Sequence, residues 1–566
     1  MGSRQNKSTP SSTPAPPRRP EDSPPASVPL SAGGRSGSGG SAAGDAGRSR
    51  AAPTRHLEIE TKLEIAADAP LPSFAGRRSL TGTGLVGTAD PVLHELDAVY
   101  FDTAEYDLLR SKLTLRRRSG GEDAGWHLKL PAVAGARTEI GLPLDVADDD
   151  PFAATVPAAL ADLVLGAARG RPLQPVARIR NRRTVRRLLG VEGTPLIEVA
   201  DDQVTASRLA PTDGGVFAES DRTQWRELEV EVLAGDRTQL AAVVTALQNA
   251  GATPASSASK LARALGDQTP PARKSKSAGT AVVAALSKLR DGLIGADRAL
   301  REGTDVALHD ARAAARRIRS VLSVYSPLFA AGTTRQLRGE LQQFGAVLGH
   351  ARDLEVLRRR LRAQLVEEPA EYAEPAAQRI EAEFARVMPV ALADVAEEIR
   401  SAGYLAMLRE LDSFIAAPPY SRRGAKPATS ELATLLVASW RTLGGLADQA
   451  LADPFDNPVI HEVRKGAKAL RYASEAAAAT LGENTVVFAA AIEEIQEVLG
   501  EHQDALTTAA WLAQLALRPD TDGTSGFVFG RLHAFEQAVA HGTLDDFSDA
   551  WDRVEDGELL AEAFGR

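Results

Sequence analysis

The sequence predicts a multidomain α+β protein: an antiparallel β-barrel tunnel with flanking helices, then an all-α domain of two related helical bundles. Three observations carry this. Residues 55–265 hold many short alternating segments separated by turn signals such as Gly120-Gly121. Residues 280–566 are rich in Ala, Leu, Arg and Glu, with helical periodicity and little strand signal. Inside that second half, a pattern of basic residues recurs at an offset of 152 residues.

The chain has 566 residues, a net charge of −9 and no cysteine. The missing cysteines exclude disulfides and thiolate metal sites and fit a reducing cytosol. No apolar run reaches the roughly 18 residues of a membrane span, and the N-terminus lacks a signal-peptide layout. A cytoplasmic location with no membrane partner is therefore expected. The negative charge argues against a surface coated for nucleic acid, although local basic clefts remain open to it.

In chain order, residues 1–53 are rich in Pro, Ser, Gly and Arg and read as a disordered tail. The barrel domain is expected over 54–266. Its strands are expected at His56–Ile65, Glu95–Phe101, Lys112–Arg118, Trp126–Leu130, Thr138–Leu144, Val176–Leu188, Leu196–Asp202 and Trp225–Leu233. Helices are expected over Phe152–Leu165 and Arg237–Ala250. Residues 267–279 form a polar linker. The helical domain follows over 280–566, with repeat halves at about 280–415 and 428–566 and Pro-containing breaks near 369–375, 418–427 and 454–458.

The barrel strands carry charge where a half-buried strand would carry uncharged polar groups. Glu58, Glu60 and Lys62 alternate along one strand and project from one face. Arg116 and Arg118 share a face with Thr114; Lys129 shares one with His127; Glu227, Glu229 and Glu231 oppose Leu228, Val230 and Val232. The aliphatic faces can pack outward. The charged faces must then enclose something wet, because unpaired buried charge is expensive. A divalent cation answers the carboxylates and a condensed phosphate answers the Arg and Lys groups.

This pattern resembles the triphosphate tunnel metalloenzymes, or CYTH family, over about residues 55–265. The run Glu58-Ile59-Glu60-Thr61-Lys62 matches the family's E-x-E-x-K signature. Tyr100-Phe101-Asp102-Thr103, Leu115-Arg116-Arg117-Arg118, Lys129, Ile197 to Asp202, Glu227 to Glu231 and Ser259-Lys260 match its later segments in order. The resemblance implies metal-dependent hydrolysis of a terminal phosphate from a triphosphate, with Mg²⁺ or Mn²⁺. It implies a catalytic set of Glu58, Glu60 and Lys62. Metal would be held by Glu58, Glu60 and Glu229, with Glu231 and Asp202 as further acids. Phosphate oxygens would be clamped by Lys62, Arg116, Arg118, Lys129, Arg183 and Lys260. Strand alternation does not choose among Arg178, Arg180, Arg182 and Arg183 for the basic position on that strand, since a one-residue slip reverses the face; Arg183 is favoured.

In the helical half, His309, Arg312, Arg316 and Arg319 each follow an apolar residue by one position, giving a basic stripe beside an apolar one. His461, Arg464, Lys468 and Arg471 repeat the spacing. Leu348 to Asp353 finds its echo in Leu499 to Asp504. Like charges along one helix face repel, so two such stripes imply a linear polyanion that neutralises them. Residues 280–566 resemble the conserved-histidine α-helical domain, CHAD. That resemblance implies polyphosphate binding by the eight basic residues just named, and association with polyphosphate deposits.

The expected function is therefore hydrolysis of inorganic triphosphate in the tunnel, with polyphosphate binding by the helical domain. The alternatives are an adenylate cyclase or a nucleoside or thiamine triphosphatase on the same barrel, and a non-enzymatic polyphosphate scaffold. Nucleic-acid binding is disfavoured by the acidic charge and the lack of aromatic interleaving.

Overall fold

The computed structural model of the protein describes residues 53–565, apart from 75–79, 81, 132–134, 145–151, 213–216, 267–275, 305 and 454–456. Nearly all of the tail expected over 1–53, and residues 267–275 of the expected linker, lie outside that set.

Eleven strands form one sheet among the described residues. They are β1 (Thr54–Glu58), β2 (Glu60–Glu64), β3 (Gly87–Thr88), β4 (Val92–Asp102), β5 (Thr114–Ser119), β6 (Gly125–Lys129), β7 (Arg137–Pro143), β8 (Gln174–Leu189), β9 (Pro195–Pro211), β10 (Phe217–Val232) and β11 (Thr253–Pro254). The hydrogen-bonded path runs β1-β7-β6-β5-β4-β8-β9-β10-β2-β11, with β3 on β8. Hydrogen bonds do not close this path, but the chain does. Its first strand, β1, and its penultimate strand, β2, which carries only the two-residue β11 beyond it, are consecutive pieces of one segment, so the strand expected over His56–Ile65 straddles the barrel seam. Residue Ile59 marks the handover: β1 pairs with β7, β2 pairs with β10, and the Ile59 carbonyl accepts the Val232 N–H at 3.0 Å.

Alternation sorts the barrel side chains into an inner charged set and outer apolar sets. Outward residues Leu63, Leu188, Ile197, Val199, Leu228 and Val230 pack beneath Leu240, Val243 and Leu247 of a helix spanning Arg237–Gln248. That helix is α3 here, after α1 (Asp107–Arg110) and α2 (Ala158–Val164). Its Asp236 capping box with Gln239 fixes its start. On the other flank, Val99, Leu113, Leu115, Trp126, Leu128 and Ile140 join Leu160 and Val164 of α2 in a core that continues into the helical half. The helix expected over Phe152–Leu165 is shorter, because Pro157 stands at its N-cap.

A third apolar cluster lies on the lumen side of one barrel end. The short helix α4 (Lys260–Leu265) packs Leu261, Ala264 and Leu265 against Ala98, Tyr100, Ala177, Ile179, Val204 and Ala206. These strand residues share the inward parity of the charged positions, so α4 plugs that end. The continuing inward alternation of Val204 and Ala206 is also why β9 outruns the strand expected over Leu196–Asp202.

The helical half comprises α5 (Ala278–Glu302), α6 (Ala307–Val324), α7 (Arg335–Leu365), α8 (Ala370–Glu398) and α9 (Ala402–Ala416), then α10 (Ala428–Ala452), α11 (Asn457–Leu481), α12 (Glu483–Ala516), α13 (Gly523–Asp552) and α14 (Glu558–Phe564). Thus α5 begins inside the segment expected to be linker. The break expected near 369–375 is confined to its start, since Pro375 and Pro389 both lie within α8. The two five-helix repeats pack across each other through α5 on α10, α6 on α11 and α8 on α13.

The barrel is fastened to the helices by charge as well as apolar surface. Asp162 of α2 accepts from Arg400 at 2.6 and 2.9 Å, and Arg169 donates to Asp412 of α9 at 2.7 Å. Buried Asp297 accepts from Arg301 and from the Tyr404 hydroxyl at 2.9 Å, with Gly166 against its carboxylate. A methyl group at Gly166 would overlap that carboxylate. Gly166→Ala should therefore cost about 1–3 kcal/mol and lower the melting temperature by about 1–3 °C. Because one core spans both halves, calorimetry should show a single unfolding transition in the wild type. Separate melting of barrel and helices would contradict it.

Candidate active site

The barrel encloses a cavity of about 300 Å³. Glu58, Glu60, Lys62, Arg116, Arg118, Lys129, Arg183, Glu229, Glu231 and Lys260 all line it. Strand register explains how. On the β10 side, Glu229 sits opposite Lys62 and Glu231 opposite Glu60. One strand further, Glu227 faces Asp202 and Glu231 faces Glu198. Beyond that, Asp202 faces Arg183 and Glu198 faces Arg187.

Charge is distributed unevenly along the cavity. At the plugged end, acids and bases are matched. Lys260, at the first turn of α4, reaches Asp202, Glu227 and Glu229 at 2.7–2.8 Å. Arg183 holds Asp202 bidentately at 2.7 and 2.7 Å and also pairs with Glu229, to which Lys62 bonds too. Burial would raise the Asp202 carboxyl, but Lys260 and Arg183 outweigh it and hold it at about 2. Burial likewise opposes ionisation of Glu229, yet Lys260, Lys62 and Arg183 keep it well below the usual carboxylate range.

On the wall of β5 and β6, bases dominate. Lys129 bonds Glu58 at 2.6 Å and approaches Glu139 at 3.2 Å. Arg116 lies 3.6 Å from Glu139. The guanidinium of Arg118 is pulled down to about 9 by burial, then by Arg116 and Arg183. His127 is buried and bonds Glu139 through Nδ1 at 2.7 Å.

Toward the other end, acids are in excess. Among the described residues no cation lies within ion-pair distance of the Glu231 carboxylate. Burial first, then Glu58, Glu60 and Glu198, push it up to about 7. Glu198 itself is paired with Arg187 at 3.0 Å. The donors here are all carboxylate oxygens, which suits a hard divalent cation. Oxygens of Asp202, Glu227 and Glu229 also lie within 4.8 Å of one another, although Lys260 and Arg183 already occupy them.

Asp202 is fully buried, and its carboxylate is paired with Arg183 and Lys260. In the Tyr-Phe-Asp-Thr segment, Asp102 accepts the N–H groups of Thr103, Leu108 and Leu109 at 2.7–2.9 Å and so shapes the turn into α1. The ambiguity on β8 resolves by partner. Arg178 pairs with Asp97, Arg180 with Glu219 and Arg182 with Glu95, away from the cavity that Arg183 lines. Sequence reasoning missed Glu139, Glu198, Arg137 and Arg187, which line the same cavity. Glu198 was findable, since it alternates with Asp202. Glu139 alternates with Arg137 on one face of β7, but the strand was expected to begin only at Thr138, so the second charge fell outside it.

In the helical half, α6 and α11 pack side by side and bring Arg312, Arg316, Arg464 and Lys468 together. Burial, then Arg464, Arg316 and Arg312, depress the Lys468 ammonium to about 7. Arg316 and Arg464 are lowered by burial, and neighbouring guanidiniums contribute. Both repeats use the same packing device: Arg312 lies against Gly349 of α7 at 3.4 Å from where a Cβ would be, and Arg464 against Gly500 of α12 at 3.8 Å. His309 and His461 stay neutral-leaning, both lowered by burial and then by Arg352 and Lys465 respectively. The expected straight stripes are broken at their ends. Arg471 is neutralised by Glu493 of α12 at 2.7 Å and Glu475 at 2.8 Å, and Arg319 lies toward Arg338 instead.

The CYTH domain family matches residues 56–265 and the CHAD domain family matches residues 284–513. Two curated relatives, the uncharacterized proteins MT2285 and Rv2226 of Mycobacterium tuberculosis, are each 35% identical over 499 residues, covering 86% of this chain and 94% of theirs. Among solved structures, PptA from Streptomyces chartreusis is 21% identical with a TM-score of 0.43, covering 49% of this chain and 99% of its own. The CHAD domain from Ricinus communis is 22% identical with a TM-score of 0.39, covering 48% of this chain and 91% of its own. No helix among the described residues is long and apolar enough to cross a membrane. The tunnel of the first domain, the paired basic helices of the second, the two family matches and the 35% identity to the curated relatives lead to one conclusion: the chain belongs to the family in which a metal-dependent CYTH tunnel domain acting on triphosphates is followed by a CHAD domain.

Proposed function

We propose that the protein hydrolyses inorganic triphosphate in the tunnel and binds polyphosphate on the α6–α11 cleft. The observation that carries the first half is the charge gradient inside one plugged cavity: bases on the β5–β6 wall and at α4, and an acid cluster around Glu231 with no protein cation on that residue. A triphosphate entering from the open end would bring its terminal phosphate toward Lys260 and its remaining oxygens against Lys62, Arg116, Arg118, Lys129 and Arg183. Phosphoryl transfer needs such positioning and charge neutralisation more than covalent chemistry.

Glu58, Glu60, Glu229 and Glu231 are the proposed cation ligands, joined by Glu198; Asp202 and Glu227 keep Arg183 and Lys260 in place. A bound Mg²⁺ or Mn²⁺ would neutralise phosphate oxygens and lower the pKa of a coordinated water. Lys62 bridges the two ends by its contacts to Glu60 and Glu229, so it links phosphate and cation sites. Among the described lining residues the only aromatic rings are Tyr100 and His94. Tyr100 is engaged with Arg116, which leaves little to stack a nucleobase and favours an inorganic substrate. The clustering of Arg312, Arg316, Arg464 and Lys468 supports a polyanion in the helical half, because phosphate oxygens would relieve the repulsion that adds to burial in depressing Lys468. A cytoplasmic site of action, at polyphosphate deposits, accords with that reading.

With Mg²⁺ and tripolyphosphate the purified protein should release phosphate, and Glu58→Ala/Glu60→Ala should reduce kcat/KM by at least about 10²-fold. Unchanged release in that variant would refute the assignment.

The elevated Glu231 carboxyl gives a stability test. Its ionisation penalty is absent below about 4.5, grows as pH rises and is complete above about 7. Metal-free Glu231→Gln should therefore melt above the wild type at pH 8 but close to it at pH 5. Added Mg²⁺ should raise the wild-type melting temperature at pH 8 more than that of the variant. Equal Mg²⁺ shifts in both would remove Glu231 from the ligand set.

Lys468, charged only below about 7 in the free protein, should take up a proton when a polyanion binds. Polyphosphate affinity should fall between pH 6.5 and 8.5, and Lys468→Arg should flatten that fall. Arg312→Ala/Arg316→Ala/Arg464→Ala should abolish long-chain binding, read by titration calorimetry, while tripolyphosphate turnover persists.

A further inference from the structure

The turn between β5 and β6 folds back over the cavity, and its tip carries two carboxylates. Asp123 forms an ion pair with Arg118, and its backbone carbonyl accepts from Arg118 at 3.3 Å. Glu122 reaches Arg187 at 3.4 Å. Both acids line the cavity together with Gly121, yet their side chains remain 62% and 68% exposed. The bases they touch are more enclosed, with Arg118 only 6% exposed. So solvent-facing carboxylates sit on guanidiniums that are more enclosed than they are.

The backbone is built for this inward turn. Gly120 and Gly121 both have φ near +78°, at 78° and 77°. A Cβ on Gly120 would overlap the Glu95 carbonyl, so only glycine lets the tip lie this close to β4. The His127 ring holds the tip from below, with Nε2 3.0 Å from the Asp123 carbonyl oxygen and Nδ1 on Glu139.

The geometry points to Glu122 and Asp123 as specificity-determining residues: an acidic tip that occupies the outer anion positions on Arg118 and Arg187 until a phosphate displaces it. This deepens the triphosphatase reading and rests on it. A carboxylate carries one charge and a terminal phosphate close to two. A condensed phosphate long enough to reach Arg118 therefore outcompetes the tip, whereas a shorter anion held at the plugged end leaves it in place. The tip lowers the apparent affinity for every long anion by the fraction of time Arg118 is free. It thereby makes occupation of the outer position a condition of tight binding.

The test is calorimetric binding of tripolyphosphate and of pyrophosphate to the full chain in the presence of EDTA, so that turnover plays no part. Glu122→Gln/Asp123→Asn should tighten tripolyphosphate binding by about three- to tenfold, the range expected for removing one or two exposed ion pairs. Pyrophosphate binding should change by less than about twofold. Glu95→Gln removes a neighbouring carboxylate that pairs outside the cavity with Arg182, and controls for net charge. An unchanged tripolyphosphate Kd in the double variant, an equal gain for pyrophosphate, or an equal gain in Glu95→Gln would each overturn the proposal while leaving the tunnel reading intact. Failure of the wild type to bind tripolyphosphate, or binding untouched by Arg116→Ala/Arg183→Ala, would overturn both.

Discussion

Confining acids and bases to one enclosed space is the constraint on which this protein depends. Neither group could be buried alone, because each would forfeit solvation without return. Barrel register makes the combination possible by placing Lys62 against Glu229, Arg183 against Asp202 and Arg187 against Glu198 across neighbouring strands. Where that pairing is complete, the wall is rigid and electrically quiet. Where it stops, at Glu231, burial and the neighbouring carboxylates oppose the charge, which a proton or a cation would relieve.

The helical half meets the same problem with the opposite solution. It gathers like charges without supplying enough acids, and spends packing on holding them. Paired Gly349 and Gly500 let Arg312 and Arg464 lie close to helix backbone, and Tyr472 offers its ring to Arg316, Arg317 and Arg471 at 5.3–5.8 Å. The strain shows in the depressed ammonium of Lys468. Between the halves, Asp162 and Asp412 form ion pairs with Arg400 and Arg169 around a continuous apolar core, which ties the barrel to the helices.

Much of this was legible from alternation alone. Glu58, Glu60 and Lys62 had to share a face, and so did Glu229 and Glu231, whichever strands they paired with. What alternation cannot supply is the partner across the gap. Asp202 entered the ligand set through the resemblance; that it lies opposite Arg183 follows only from the register of β8 and β9. Arg471 read as a free base because helical spacing says nothing about Glu493, which arrives from the next helix. The four arginines of β8 stayed ambiguous for the same reason. Glu139 was passed over because the strand was expected to start at Thr138, which left out Arg137, its charged companion on that face. The straddling of the seam at Ile59 was invisible too, because nothing in E-I-E-T-K marks a change of neighbour.

That seam has a consequence for how the chain is made. The segment that locks the cylinder shut is made before both of its neighbours, β7 and β10. One of its edges waits about 80 residues for β7 and the other about 170 for β10. The alternating Glu58, Glu60 and Lys62 are then more than the lining of a cavity. In the nascent polypeptide they are the charges that keep an unpaired strand from finding a stranger.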